Sequence, residues 1–329
     1  MKTIAFFNNK GRVGKTSLVY HLSWMFADHG IRTLAVDLDP QANLSSMFLD
    51  EERLVQMWDD GEKSTIYDSL EPLMNRTGDI LPSHVERMNE CLGLIPGNLA
   101  LSRFEDLLSE NWSKCLDGEP SAFRVITAFH RIIVSAAEQM SAEVVLIDVG
   151  PNLGAINRSA LIAAAQVVIP LAPDMFSLQG LKNFGPSLRD WRKGWKKRLD
   201  ELPINSGIAA PSGAMQPAGY VVMQHGIRES RPVKAYQKWL DRIPGVYRVC
   251  VLAETNDNSP ALQSDPYNLA LLKHYRSLMP MAMEVHKPIF SLKSADGAIG
   301  AHQDAVRNCY TDFEKLAKKI AENAGIAFS

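Results

Sequence analysis

The chain has 329 residues, 46% of them hydrophobic and 22% charged, which is ordinary globular composition. Its formal net charge of −2 excludes a global basic field that would draw it to nucleic acid, so any nucleic-acid surface has to be a local patch. No apolar stretch approaches the roughly 20 residues needed to span a bilayer, and the N-terminus fits no signal peptide. The four cysteines (Cys91, Cys115, Cys250, Cys309) lack metal-binding spacing, so the expectation is a cytoplasmic protein with reduced thiols.

Apolar runs alternate with amphipathic stretches, the pattern of an α/β fold with a mostly parallel central sheet flanked by helices. Residues 4–7 are predicted as the first buried strand. A loop containing Gly and Lys follows, then a helix with Leu18, Leu22, Met25 and His29 on one stripe, capped at Gly30. Further strands are predicted at 33–36, 144–147, 167–171, 220–223 and 249–252, and a helix from about 305 to 323 closes the chain. Residues 201–217 hold three prolines and two glycines and read as a loop. The chain is therefore read as one domain over 1–329 with insertions near 50–90 and 186–217.

The strongest motif lies between the first strand and the first helix: Lys10-Gly11-Arg12-Val13-Gly14-Lys15-Thr16-Ser17. Backbone N–H groups around Gly14 and the helix N-terminus suit phosphate oxygens, and the helix dipole favours their charge. Lys15 supplies a point charge for the β- and γ-phosphates, and the Thr16 hydroxyl suits Mg²⁺. The full pattern GxxxxGK[ST] wants glycine at position 9, where this chain has Asn9. Next, Asp37 and Asp39 alternate off the end of the second strand, on the side of the phosphate crevice. One such carboxylate can hold metal-bound water and the other can orient an attacking water. A third, Asp148, ends the apolar run Val144-Val145-Leu146-Ile147 as a Walker B aspartate does.

These motifs resemble the ParA/MinD/nitrogenase-iron-protein group of deviant Walker A ATPases. The loop is similar to KGGVGKT, Asp37-Leu38-Asp39-Pro40-Gln41 to DxDPQ, and Ile95-Pro96-Gly97-Asn98 to the group's I-P-[SG]-N turn. Asp148-Val149-Gly150-Pro151-Asn152-Leu153-Gly154 resembles D-x-P-P-S-L-G, with Gly150 in place of the first proline and Asn152 in place of the serine. Leu171–Leu181 and Lys287–Phe290 add matching segments; the likeness is good over 1–185 and weak over 186–285. It implies ATP and Mg²⁺ as cofactors, Thr16, Asp37 and Asp148 around the metal, and Asp39 as the hydrolytic carboxylate. It makes Lys10 the signature lysine that reaches the partner subunit's nucleotide, so that ATP links a homodimer. Arg12 stands where the group has glycine; it either crowds the subunit seam or contacts phosphate, and the sequence leaves both open.

Residues 186–199 place Leu188, Trp191, Trp195 and Leu199 on one helical face, with Arg189, Arg192, Lys193, Lys196, Lys197 and Arg198 on the others. One reading is a solvated basic face; the other is a DNA-phosphate patch, as the family's non-specific DNA binding implies. The resemblance also implies a ParB-like activating adaptor and a nucleoid-associated location, and the C-terminal helix lacks the pattern of a membrane-targeting helix. His225 is read as a contact to adenine. Two functions follow: a slow, partner-stimulated ATPase switch in DNA, plasmid or chromosome partitioning or cargo positioning, or a nucleotide-sensing subunit with little turnover. A P-loop synthetase of the dethiobiotin or cobyrinate type shares the fold, but no small-substrate motif accompanies it here.

Overall fold

Period-two patterning splits each central strand between two cores. Ala5 and Phe7, with Val145 and Ile147, face one layer; Ile4 and Phe6, with Val144 and Leu146, face the other. Both faces are thus covered, as a parallel sheet requires. The computed structural model describes residues 1–59, 61–224, 233–255, 259–273, 275 and 278–328.

Its strands are β1 Lys2–Phe6, β2 Thr33–Leu38, β3 Glu86–Arg87, β4 Leu92–Ile95, β5 Val144–Val149, β6 Gln166–Leu171, β7 Gln216–Gln224 and β8 Asn268–Lys273. They form one sheet in the order β3-β4-β2-β5-β1-β6-β7-β8. Every neighbouring pair is parallel except β3 with β4. Helices Phe104–Lys114, Ala128–Met140, Ala155–Ala163 and Met175–Asp200 cover one face; α1, Lys15–Asp28, and the Ala301–Ala324 helix cover the other. The order puts β2, β5 and β1 side by side, so the residues that leave their C-terminal ends meet in one crevice.

The predicted strands at 4–7, 33–36, 144–147, 167–171 and 220–223 all fall on strands of this sheet. Gly30 follows α1 at φ +72°, the left-handed shape that ends a helix cheaply. The strand predicted at 249–252 is overturned: Tyr247–Leu252 is a π-helical turn packed on the Met175–Asp200 helix. There the Arg189 guanidinium donates to the Cys250 carbonyl, and Gly185 lies so close that a Cβ would sit 1.9 Å from that oxygen. Val251 is buried in this turn while Val249 stays exposed, and tertiary packing overrides the run's strand propensity. Three strands lack the usual sequence signal, the shortest being β3 with its two charged residues. β4 carries Gly93, whose missing side chain admits Met140 (a Cβ would lie 2.3 Å from its Sδ), and the Leu- and Ala-rich β8 has no β-branched residue. Among the described residues no helix is long and apolar enough to cross a membrane.

Candidate nucleotide-binding site

The loop from Asn8 to Gly14 runs from the C-terminal end of β1 into α1. Asn8 fixes its start: Nδ2 donates to the Pro170 carbonyl at 2.5 Å and Oδ1 accepts from the Lys10 amide at 2.8 Å. Asn9 replaces the motif's first glycine, and Gly180 makes the room for it, since a Cβ there would lie 2.6 Å from Asn9 Oδ1. Gly14 takes φ +85° at the N-cap of α1, a shape glycine adopts without strain. Arg12, where the resembling motif has glycine, is exposed and stands at φ +61°, in the left-handed region that glycine adopts without strain. Val13 is buried and Gly11 exposed; Thr16 and Ser17 are half-buried in the first turn of α1.

Behind the loop the sheet delivers the charged groups. Lys15 is 7% exposed. Burial lowers its ammonium from the usual lysine range, against the opposing pull of Asp148 and Asp39. Asp148 and Asp37 are register partners on β5 and β2, both fully buried. Neither Asp148 oxygen has a hydrogen-bond partner. Burial pushes its carboxyl up to about 8, helped by the Asp37 charge and opposed by the Thr16 hydroxyl and Lys15. A buried carboxylate without partners, next to a threonine and a lysine, fits the surroundings of a cation and phosphate.

Asp37 is differently placed. Its Oδ2 accepts from the Ser45 amide at 2.8 Å and the Ser45 hydroxyl at 2.7 Å. Gly97 packs on the carboxyl, where a Cβ would lie 2.9 Å from Cγ, and its amide donates to Ser45 Oγ at 2.8 Å. Burial raises this carboxyl to about 7 despite the Ser45 bonds. The Ile95–Asn98 turn therefore serves to seat Asp37. Asp39, 6% exposed, accepts from the Gln41 amide at 3.0 Å.

Lys10 is held within its own chain. Its ammonium pairs with Asp174, the N-cap of the Met175–Asp200 helix, and lies 5.8 Å from the Phe176 ring centre. His21 is a packing residue: Nδ1 bonds the Ser17 carbonyl at 2.7 Å and Nε2 accepts from the Ile289 amide at 3.1 Å. It ties α1 to the Lys287–Phe290 segment. His225 lies outside the described residues.

The basic helix needs one correction. Leu188 and Trp195 are buried as expected, but so is Arg198, at 7% exposure. Its guanidinium lies 3.7 Å from the Trp112 ring centre and donates to the Trp112 carbonyl at 2.6 Å and the Gly194 carbonyl at 2.8 Å. Arg198 is a packing residue, because a tryptophan from a distant helix covers the face that the local pattern left open. Arg189 is half-buried; Arg192, Lys193 and Lys196 line with it a cleft of about 590 Å³ opposite Ser212-Gly213-Ala214. Lys197 is exposed.

A strand-loop-helix phosphate cradle with carboxylates from two neighbouring strand ends defines a P-loop nucleotide-binding protein. Comparison with known proteins narrows this. A family model described as an AAA domain matches residues 1–201. The chain is 30% identical over 205 residues to the chromosome-partitioning ATPase Soj of Thermus thermophilus, 62% of this chain and 68% of that protein. It is 32% identical over 193 residues to a putative replication protein A of Rhizobium rhizogenes, 56% of this chain but 43% of the relative, and so spans under half of that protein. The chain belongs to the ParA/MinD-type P-loop ATPase family. Among solved structures, protein DIP2308 of Corynebacterium diphtheriae shares the fold at TM-score 0.69 and 23% identity, covering 98% of each chain. The ATP complex of an aspartate-to-alanine variant of Cyanothece McdA does so at TM-score 0.63 and 16% identity, covering 100% of this chain and 98% of the other.

Proposed function

We propose that this chain is a ParA-like ATPase: it binds ATP and Mg²⁺ at Lys10–Ser17, pairs as a homodimer in the ATP state, and hydrolyses ATP slowly. The observation that carries the reading is the gathering of Lys15, Asp39 and the partnerless Asp148 carboxylate behind a P-loop. Lys15 neutralises the β- and γ-phosphates, and the amides at the start of α1 bind their oxygens. Thr16 and Asp148 hold Mg²⁺, which supplies positive charge to the phosphates; Asp37, locked by Ser45, supports Asp148 from the next strand. Asp39 orients the attacking water. Lys10 leaves Asp174 for the nucleotide of the partner subunit.

The relatives' names point to DNA partitioning, as in Soj and the plasmid ParA proteins. In this reading Arg189, Arg192, Lys193, Lys196 and Lys197 bind duplex phosphates without sequence preference. A ParB-like adaptor or another activator stimulates hydrolysis, and the protein is cytoplasmic and nucleoid-associated. The test is calorimetric ATP binding together with steady-state phosphate release, with and without duplex DNA. Binding with release that DNA or an adaptor accelerates supports the switch. Binding with no release under any condition favours the nucleotide-sensing alternative, and no binding overturns both.

A further inference from the structure

Four cations of the Met175–Asp200 helix form one wall of a cleft: Arg189, Arg192, Lys193 and Lys196. Their spacing puts all four on a single helical face, where like charges three and four residues apart repel one another. No acid is among the residues that line the cleft. Arg192, Lys193 and Lys196 form no ion pair among the described residues, and Arg189 spends one Nη on the Cys250 carbonyl. The opposite wall is Ser212-Gly213-Ala214, and it is fixed. Trp195, fully buried on the same helix, donates from Nε1 to the Pro211 carbonyl at 2.9 Å. Gly213, at φ +63°, lies so close that a Cβ would sit 2.1 Å from Trp195 Cδ1. The loop is thus clamped to the helix that carries the cations, and the two walls keep their spacing. The amides of Ser212, Gly213 and Ala214 make no hydrogen bond among the described residues, which leaves three N–H groups to solvent or a ligand.

We propose that this cleft is a second anion site, for a small molecule that carries a chain of phosphates. Its volume of about 590 Å³ falls in the range of small-molecule sites. The two arginines are half-buried and the two lysines exposed, so the charge runs from inside the cleft to its rim. Guanidinium forks grip phosphate oxygens in pairs, and ammonium groups add point charges beside them. The four residues cover about 10 Å along the helix, at roughly 1.5 Å per residue, which suits a short phosphate chain. Duplex phosphates stand on a convex surface and meet the exposed lysines first, Lys197 outside the cleft among them. The site is separate from the P-loop: Arg189 lies roughly 22 Å along the helix from its N-cap, Asp174. A ligand bound here takes Lys193 and Lys196 from duplex phosphates, so the two compete. That consequence alone rests on the DNA-binding reading above; the binding itself does not.

The test titrates the whole chain, carrying Lys15→Ala to silence the P-loop, with inorganic tripolyphosphate at constant ionic strength. Calorimetry is expected to show one saturable site per chain. Arg192→Gln combined with Lys193→Gln should weaken it by about tenfold or more, because two charge-assisted contacts are lost. Ser212→Glu, an exposed position on the far wall, should do the same without altering the helix, and it serves as the second route should the paired variant not fold. Lys197→Gln should weaken duplex binding but leave tripolyphosphate affinity within about twofold, since an exposed charge outside the cleft is screened. Tripolyphosphate should also displace a labelled duplex. A loss in Lys197→Gln as large as in the paired variant would show a diffuse basic field and overturn the site. The absence of saturable tripolyphosphate binding, with duplex still bound, would overturn it too and leave the cleft to the duplex. Saturable tripolyphosphate binding without any duplex binding upholds the site and overturns the DNA-binding reading instead.

Discussion

Replacing Asp148 by asparagine should remove most of the pH dependence of stability of the ligand-free protein. Asp37 and Asp148 face each other across β2 and β5, fully buried, with carboxyls raised from 3.8 to about 7 and about 8, chiefly by burial. In the unfolded chain both are ionised above about pH 4. Between that point and the raised values the folded state holds one extra proton per group. Stability is therefore fully present at low pH and falls as pH rises, levelling off once both groups ionise. At about 1.36 kcal/mol per unit, moving from pH 6 to pH 8 should cost roughly 4 kcal/mol in all, the larger part of it through Asp148, which is still half protonated at pH 8. Asp148→Asn keeps the shape and deletes the larger part, leaving a loss of about 1 kcal/mol. Urea unfolding with chelator at the two pH values measures both numbers. Mg²⁺ with ATP, which needs the ionised carboxylate, should stabilise the parent more at pH 8 than at pH 6. Equal pH dependence in parent and variant would show that Asp148 is not held neutral by its surroundings, and the electrostatic account of the site would fail.

Lys15→Ala should abolish ATP binding by calorimetry, because the phosphates lose their fixed counter-charge; unchanged affinity would sink the P-loop assignment. Asp39→Ala should retain ATP and Mg²⁺ but stall hydrolysis, and phosphate release at the parental rate would remove Asp39 from the mechanism. Lys193, Lys196 and Lys197 changed together to Glu should weaken duplex binding without altering ATP affinity. Each lysine–phosphate pairing removed should flatten the plot of log affinity against log salt by about 0.9, and an unchanged slope returns the helix to a solvated face.

What the sequence showed plainly was local. The P-loop, Asp37 with Asp39, and Asp148 each sit at the end of a buried apolar strand, and chain order alone places them at one sheet edge. What it hid lies in packing between distant segments. Ser45 and Gly97 seat Asp37 across 52 residues, and Gly180 admits the Asn9 side chain. Asn157 differs: it lies five residues beyond Asn152, so its contact with the 150–152 turn is local. Arg198 shows the opposite failure. Helical periodicity set it on the polar face, and only Trp112, 86 residues away, makes that position an interior one. The run at 249–252 likewise has the residues of a strand, but it spends them on the Met175–Asp200 helix.

The Lys10–Asp174 pair raises the question of whether the loop is locked against the role given to Lys10. The two side chains are 28% and 37% exposed, and pairs of that kind contribute about 0–1 kcal/mol. Asp174 would not be stranded if the pair opened, because its Oδ1 already caps the helix through the Ser177 amide at 2.8 Å. A phosphate carries more charge than a carboxylate, and a charge-assisted hydrogen bond to it exceeds what the pair supplies. The pair therefore parks Lys10 near the mouth of the site at little cost and does not bar it from a nucleotide. Asp174→Asn should accordingly leave ATP affinity within about fivefold of the parent, since less than about 1 kcal/mol is at stake. A rise of tenfold or more by calorimetry would mean that the pair restrains nucleotide binding after all.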